Sequence, residues 1–229
     1  MLSDLAQRLV PALGRLDVTA DDPDGLAPGT IVAANHSSLI DPGLVLAALA
    51  RRQVDRPIVL AAAGLWRIPV LGRRLRAEGH IAVRRGDRRA AECLEQAAEA
   101  LARGRIVVLY PEGGIPDWSD SGDREPRDFR TGVARLALAT GAPVVPLGQA
   151  GARRITSGSR PKQVAGLLTA PLRRPRLHVH LGAPVRLSGS PAEAAAQAHE
   201  AVTAAWRTAA ARTGSTARAS AGACTRTDE

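Results

Sequence analysis

At 229 residues the chain is long enough for one substantial core, or a core with a small appendage. Its 45% hydrophobic and 23% charged residues exclude a disordered chain. Lys+Arg 31 against Asp+Glu 22 leaves a net charge of +9, which favours anionic partners such as phospholipid headgroups, nucleic acid or phosphorylated and CoA-type substrates.

In chain order, Leu2, Leu5, Leu9, Val10, Leu13 and Leu16 recur at helical spacing and predict an amphipathic helix over 1–16. Such a helix either caps the core or lies in a membrane interface. The N-terminus lacks a basic region followed by an apolar run, so no signal peptide is expected. No stretch approaches the roughly 20 uninterrupted apolar residues of a spanning helix. A turn-rich segment runs from Asp21 to Gly29. Apolar runs at Ile31–Ala34, Ile58–Ala62, Ile81–Val83, Ile106–Tyr110, Val144–Leu147 and Leu177–Leu181 then read as buried strands. Leu44–Arg51, Arg88–Arg103, Gly132–Thr140 and Pro191–Ala211 read as helices. The alternation predicts an α/β fold, a central mixed, partly parallel sheet flanked by helices. One domain is expected over 17–211. A Ser/Thr/Ala/Arg-rich tail over 212–229 has the composition of a disordered segment. Cys93 and Cys224 are the only cysteines, far apart and not spaced as metal ligands, which fits a reducing cytoplasm.

Chemistry concentrates where strands end. Asn35-His36-Ser37-Ser38-Leu39-Ile40-Asp41-Pro42 follows the first buried run. Asp41-Pro42 has the form of a helix start, with Asp as cap and Pro at the first helical position. A loop that curls back lets the Asp41 carboxylate orient one imidazole nitrogen of His36 and raise the basicity of the other. No Gly-x-Ser-x-Gly elbow occurs anywhere in the chain, so the dyad suits general-base activation of a substrate hydroxyl rather than of a protein serine. Taken alone, His36 is better explained as a hydrogen-bonded loop histidine. Further on, Glu78-Gly79-His80-Ile81-Ala82-Val83-Arg84 delivers an arginine from a strand end towards an anionic group. Tyr110-Pro111-Glu112-Gly113-Gly114 ends another strand with an acid and two glycines that admit close backbone approach to a ligand. Gly141 to Leu147 reads as a turn and a short strand broken by Pro146.

These blocks, in this order, resemble the lysophosphatidic acid acyltransferase family, the 1-acyl-glycerol-3-phosphate acyltransferases. His36 to Asp41 resembles the family's His-x4-Asp block and Gly79 to Arg84 its Gly-x-Ile-x-x-Arg-type block. Tyr110-Pro111-Glu112-Gly113 is similar to Phe-Pro-Glu-Gly, and Val144-Val145-Pro146 to the apolar-Pro block. Leu65 to Gly72 resembles Leu-x-x-x-Pro-x-x-Gly, and Phe129-Arg130-Thr131-Gly132 the Phe-Lys-x-Gly helix start. The resemblance covers roughly 25–185 and implies the glycerol-3-phosphate acyltransferase-like fold. It implies acyl transfer from acyl-CoA or acyl carrier protein, as co-substrate, to a lysophospholipid hydroxyl, with no acyl-enzyme, no metal and no other cofactor. His36 would be the base and Asp41 its orienter, Arg84 would hold the acceptor's phosphate, and Glu112 and Gly113 would shape the acceptor site, with Gly79 and Pro146 in the flanking blocks. Two departures bear on the acceptor. Gly114-Ile115-Pro116 replaces the family's usual Thr-Arg-Ser, leaving Arg124, Arg127 and Arg130 as candidates to supply the missing arginine. Ala61 to Gly64 replaces a lysine-and-acid pair.

From Phe129 to Ala192 there is no acidic residue, while Arg130, Arg135, Arg153, Arg154, Arg160, Lys162, Arg173, Arg174, Arg176 and Arg186 all fall there. Arg67, Arg73, Arg74 and Arg76 lie beside Trp66, Val70 and Leu71. Both clusters read as a contact with an anionic membrane surface or as a solvated basic face. The expected place of the protein is cytoplasmic, peripheral on the inner face of the cell membrane. Nucleic acid is not an expected partner, because aromatics are 2% of the chain and no recognition motif appears. Two alternatives stand beside this reading: the same chemistry on a different lysolipid or glycolipid acceptor, and a basic lipid- or nucleic-acid-binding protein without catalysis. His178 and His180 share one strand face, without the nearby Cys or acids a metal site needs.

Overall fold

A computed structural model describes residues 1–84, 91–116 and 120–214. The expected tail from 215 onward and the start of the helix expected at 88 lie outside the described residues.

Seven strands form one sheet in the order β1-β7-β6-β2-β5-β3-β4: β1 (Arg15–Ala20), β2 (Ile31–Ala34), β3 (Ile58–Ala62), β4 (Ile81–Val83), β5 (Val107–Leu109), β6 (Val144–Ala150) and β7 (Arg176–Leu181). β6, β2, β5, β3 and β4 run parallel, while β7 is antiparallel to β6 and carries β1 parallel to itself. The sheet is therefore mixed and mostly parallel, as the alternating pattern predicts. β2 is buried on both faces, which is why Ile31–Ala34 is an unbroken apolar run. Period-2 alternation sends Val32 and Ala34 to one cluster with Leu44, Val145, Leu147 and Val179. Ile31 and Ala33 go to the other, with Leu109, Val133, Leu136 and Val202.

α1 (Leu2–Leu13) and α2 (Asp41–Arg51) cover the first face. α4 (Glu92–Ala102), α5 (Gly132–Thr140) and α7 (Pro191–Thr213) cover the second. α7 approaches β6 so closely that a Cβ on Gly148 would sit 2.1 Å from Ala205 C and Trp206 N.

Four features differ from the sequence expectation. The first helix stops at Leu13: Gly14 is extended and packs where a Cβ would lie 2.7 Å from Leu177 Cδ1 and 2.8 Å from Pro175 O, and Leu16 lies in β1 instead. β1 itself was not anticipated; its alternation of Leu16, Val18 and Ala20 hides behind the helical spacing of the preceding leucines. α3 (Pro69–Ala77) and α6 (Arg160–Arg173) are helices that internal Gly and Pro obscured. Pro146 does not break its strand: β6 runs on to Ala150, with the Pro146 carbonyl accepting from Gly182 N–H at 2.8 Å.

Candidate active site at the carboxyl ends of the parallel strands

β2, β5 and β4 all end at one edge of the sheet and deliver His36, Glu112 and Arg84 there, the edge at which open α/β sheets bind ligands. The loop after β2 folds back on itself. Asp41 is the first residue of α2, with Ile40 rather than Asp41 at the cap position, because Asp41 N–H closes a turn on Ser38 O at 3.2 Å. Its carboxylate is thereby turned into the loop. Asp41 Oδ2 accepts from Ser37 N–H at 2.5 Å, from Ser38 N–H at 2.8 Å and from His36 Nδ1 at 3.0 Å. Asp41 is fully buried, and all three of these contacts converge on the one oxygen. Nδ1 of His36 thus faces the Asp41 carboxyl, and Nε2 is the nitrogen turned away from it.

Two further supports fix the histidine. Its ring lies 4.4 Å from the Tyr110 ring at a 30° tilt, and its backbone N–H donates to Glu112 Oε1 at 2.7 Å. Tyr110 is half-buried with its hydroxyl enclosed, and burial first, then the Asp41 charge, hold that hydroxyl well above the ordinary phenol value. Glu112 is buried too, and burial raises its carboxyl above the ordinary value against the opposing bonds from His36 and Arg127. Its second oxygen accepts Arg127 N–H at 3.1 Å and stands 3.5 Å from Arg127 Nε. Glu112 thus ties the dyad loop to the 120s segment instead of facing a substrate. Gly113 adopts φ +75°, and its N–H is spent on Tyr110 O at 3.1 Å.

The expected substrate residues divide. Arg84 is exposed at the end of β4, three strand spacings from β2, about 14 Å. Gly79 precedes β4 and so lies at the opposite edge, where its φ of +74° turns the chain from α3 into the strand. Pro146 is buried inside β6 opposite Ala33, below the level of the dyad. Among the three arginines that could replace the missing one, Arg124 pairs with Asp120 at 2.5 Å. Arg127 is engaged by Glu112 and by Gly114 O at 2.6 Å. Arg130 instead lies over the Glu112-Gly113 turn, where a Cβ on Gly113 would sit 2.5 Å from its Nε. Among the described residues neither Arg84 nor Arg130 is in an ion pair.

Sequence reasoning missed the frame around the dyad. Asn35 and Gln149 clasp each other across 114 residues: Gln149 N–H donates to Asn35 Oδ1 at 2.8 Å and Gln149 Nε2 to Asn35 O at 2.8 Å. Ser38 Oγ donates to Thr156 O at 3.1 Å. Arg153, expected on a basic face, is buried and donates to Ser37 O at 3.3 Å and Gly122 O at 2.7 Å. Their only signal is polar residues at the ends of apolar runs. His178 and His180 do share a face, but Thr19 Oγ1 bonds a ring nitrogen of each at 2.9 Å, with Asp17 and Asp21 at 3.1 and 3.3 Å from the others. Among the described residues no group of three or more His, Cys, Asp or Glu is placed to hold a metal.

A cavity of about 370 Å³ lined by Asp24, Leu26, Arg52, Val54 and Arg105 opens at the opposite edge, far from the dyad. Among the described residues, the connections at the dyad edge expose Leu39, Ile68, Val70 and Ile115. Among the described residues no helix is long and apolar enough to cross a membrane.

Residues 16–149, more than half of the chain, match the acyltransferase family. A 1-acyl-sn-glycerol-3-phosphate acyltransferase of Chlamydomonas reinhardtii is 35% identical over 81 residues, which are 35% of this chain and 23% of that protein. A chloroplastic 1-acyl-sn-glycerol-3-phosphate acyltransferase of Brassica napus is 32% identical over 93 residues, 40% of this chain and 26% of its own length. The matched region thus spans about a quarter of these curated relatives. The crystal structure of the 1-acyl-sn-glycerophosphate acyltransferase PlsC from Thermotoga maritima superposes with a TM-score of 0.68 at 19% identity, covering 95% of this chain and 80% of that one.

Proposed function

The chain belongs to the acyltransferase family, and from that premise we propose that it transfers a fatty acyl group from acyl-CoA or acyl carrier protein to the free hydroxyl of a lysophospholipid. The observation that carries this reading is the dyad geometry: Asp41 Oδ2 lies 3.0 Å from His36 Nδ1, which leaves Nε2 as the nitrogen we assign as base. Nε2 takes the hydroxyl proton as the acceptor oxygen attacks the thioester carbonyl. The tetrahedral intermediate collapses with cleavage of the C–S bond, and the imidazolium returns the proton to the leaving thiolate. No acyl-enzyme is formed. The exposed aliphatic residues Leu39, Ile68, Val70 and Ile115 give acyl chains an apolar approach to this edge.

The acceptor that fits first is 1-acyl-glycerol-3-phosphate, giving phosphatidic acid. Arg130 sits over the turn that follows β5, next to β2, and is our candidate for the phosphate beside the reacting hydroxyl. Arg84, further out, serves the outer rim of the site. Ile115, which stands where the family's usual Thr-Arg-Ser pattern has arginine, favours a second reading in which another lysolipid or a glycolipid is the acceptor.

The test is transfer from labelled acyl-CoA to a panel of lysolipids with and without a terminal phosphate. His36→Ala abolishes transfer to every acceptor on this reading. Arg130→Ala raises KM for phosphate-terminated acceptors and leaves neutral ones unchanged. Wild-type activity in His36→Ala would remove the dyad mechanism, and a preference for neutral acceptors would select the second reading.

A further inference from the structure

α6 is a helix without a core. Of its 14 residues only Ala170 is buried, whereas helices in proteins draw most of their stability from packing an apolar face. It nonetheless has such a face, turned outward: Val164, Leu167, Leu168 and Leu172 are 58%, 40%, 73% and 88% exposed, at i, i+3, i+4 and i+8. α1 touches α6 and adds Leu5 and Leu9, each about half exposed and four residues apart. Isolated apolar residues on a surface are ordinary, but a row on one unpacked helix, continued on its neighbour, marks a contact.

The composition of the surface says with what. α6 has no acidic residue and is flanked by Arg160, Lys162, Arg173 and Arg174. The apolar row is wholly aliphatic, without the Trp and Tyr that dominate protein–protein hot spots. Aliphatic residues flanked by cations match acyl chains below anionic headgroups.

The connectivity says why it is there. β6 ends at the edge where β2 delivers His36, and β7, antiparallel to β6, starts from that same edge. α6 therefore leaves from and returns to the active-site edge. Gly166 rests on the backbone of Ile155, where a Cβ would lie 2.1 Å from Ile155 O. The adjoining Thr156 O is the acceptor for Ser38 Oγ of the dyad loop at 3.1 Å. One rigid path thus joins the apolar row to the dyad.

We infer that α6, continued by the outer row of α1, docks this chain on an anionic lipid bilayer and sets the His36 edge of the sheet against it. A lipid-borne hydroxyl then reaches that edge from the bilayer side. The inference concerns binding and stands whether or not His36 is a base.

The test is co-sedimentation with vesicles of phosphatidylcholine alone or mixed with phosphatidylglycerol, at low and high salt, for the parent chain and L168D/L172D. The parent is expected to partition onto the mixed vesicles, less so at high salt, and L168D/L172D to lose about tenfold or more of that partitioning. Circular dichroism confirms that the double variant is folded. As a second readout, Leu172→Cys in a Cys224→Ser background carries a polarity-sensitive fluorophore, whose emission shifts to the blue on adding the mixed vesicles. Equal partitioning of parent and L168D/L172D, or a label indifferent to vesicles, overturns the inference. So does a parent that is dimeric in solution and made monomeric by L168D/L172D, which would make a second copy the occupant.

Discussion

A single oxygen, Asp41 Oδ2, holds two backbone amides and the His36 ring, so it shapes the loop and orients the ring together. Asp41→Asn presents either an oxygen to fewer donors or an amide that meets them donor to donor, and it takes the carboxyl away from Nδ1. The expected outcome is a fall in kcat of roughly 10²- to 10⁴-fold, with KM for both substrates near the parent values, read in steady-state transfer assays. Glu112 acts one step further back, through the backbone. Glu112→Gln keeps the shape but turns an NH2 towards one of two amide donors, at 2.7 and 3.1 Å in the parent. Leaving a buried donor unpaired costs about 1–3 kcal/mol. Lower thermal stability together with lower kcat is expected for Glu112→Gln, and Glu112→Asp, one methylene short of both amides, is expected to behave no better. A variant that loses KM for the acceptor alone would return Glu112 to a substrate-contacting role.

Among the elements, α7 packs on β6 at very close range. Gly148 allows it, and Trp206, the largest fully buried side chain among the described residues, lies beside it. Gly148→Ala places a methyl carbon 2.1 Å from the backbone of Ala205 and Trp206, so the helix must move as a body. Overpacking of this kind costs about 1–3 kcal/mol, and differential scanning calorimetry should show Tm lower by about 5 °C. Of the strands, β2 and β5 were legible as continuous apolar runs because the sheet centre is covered on both faces. β1 and α6 escaped sequence reading for opposite reasons. Leu16 extends a helical spacing that Gly14 in fact terminates, and α6 shows its apolar row to solvent, with Gly166 and Pro171 breaking the pattern. The dyad was legible because its partners are five residues apart. Asn35 with Gln149 and Glu112 with His36 were not, being 114 and 76 residues apart and brought together only by strand order. The same limit separates Arg130 from Arg124 and Arg127: composition names all three, and only packing says which two are already engaged.

For the molecule as a whole, two buried histidines make stability depend on pH. His80 Nδ1 accepts Val59 N–H at 3.0 Å, so its proton sits on Nε2, 3.5 Å from Glu78. A second proton would have to displace that backbone bond. Burial lowers His80 below the ordinary imidazole value of 6.5, outweighing the Glu78 charge. Burial likewise lowers His178, outweighing Asp17, with Arg212 and His180 acting in the same direction as burial. For both groups the unfolded chain binds a proton at a higher pH than the folded one does. As pH falls below about 6.5, protons bind preferentially to the unfolded state and the folding free energy declines, until the folded values are passed and the loss is complete. Glu112 works the other way: its raised carboxyl takes a proton more readily when folded, which favours the folded state as pH falls towards and below 4.5. The histidines titrate first on the way down. Urea midpoints measured at about pH 8 and about pH 5.5 should therefore differ, with the lower midpoint at the lower pH and an unchanged m-value. The same comparison on His80→Gln, whose side-chain carbonyl can accept the Val59 amide without titrating, should show a smaller difference. Equal midpoints in the parent chain would mean that neither imidazole is held neutral by the fold.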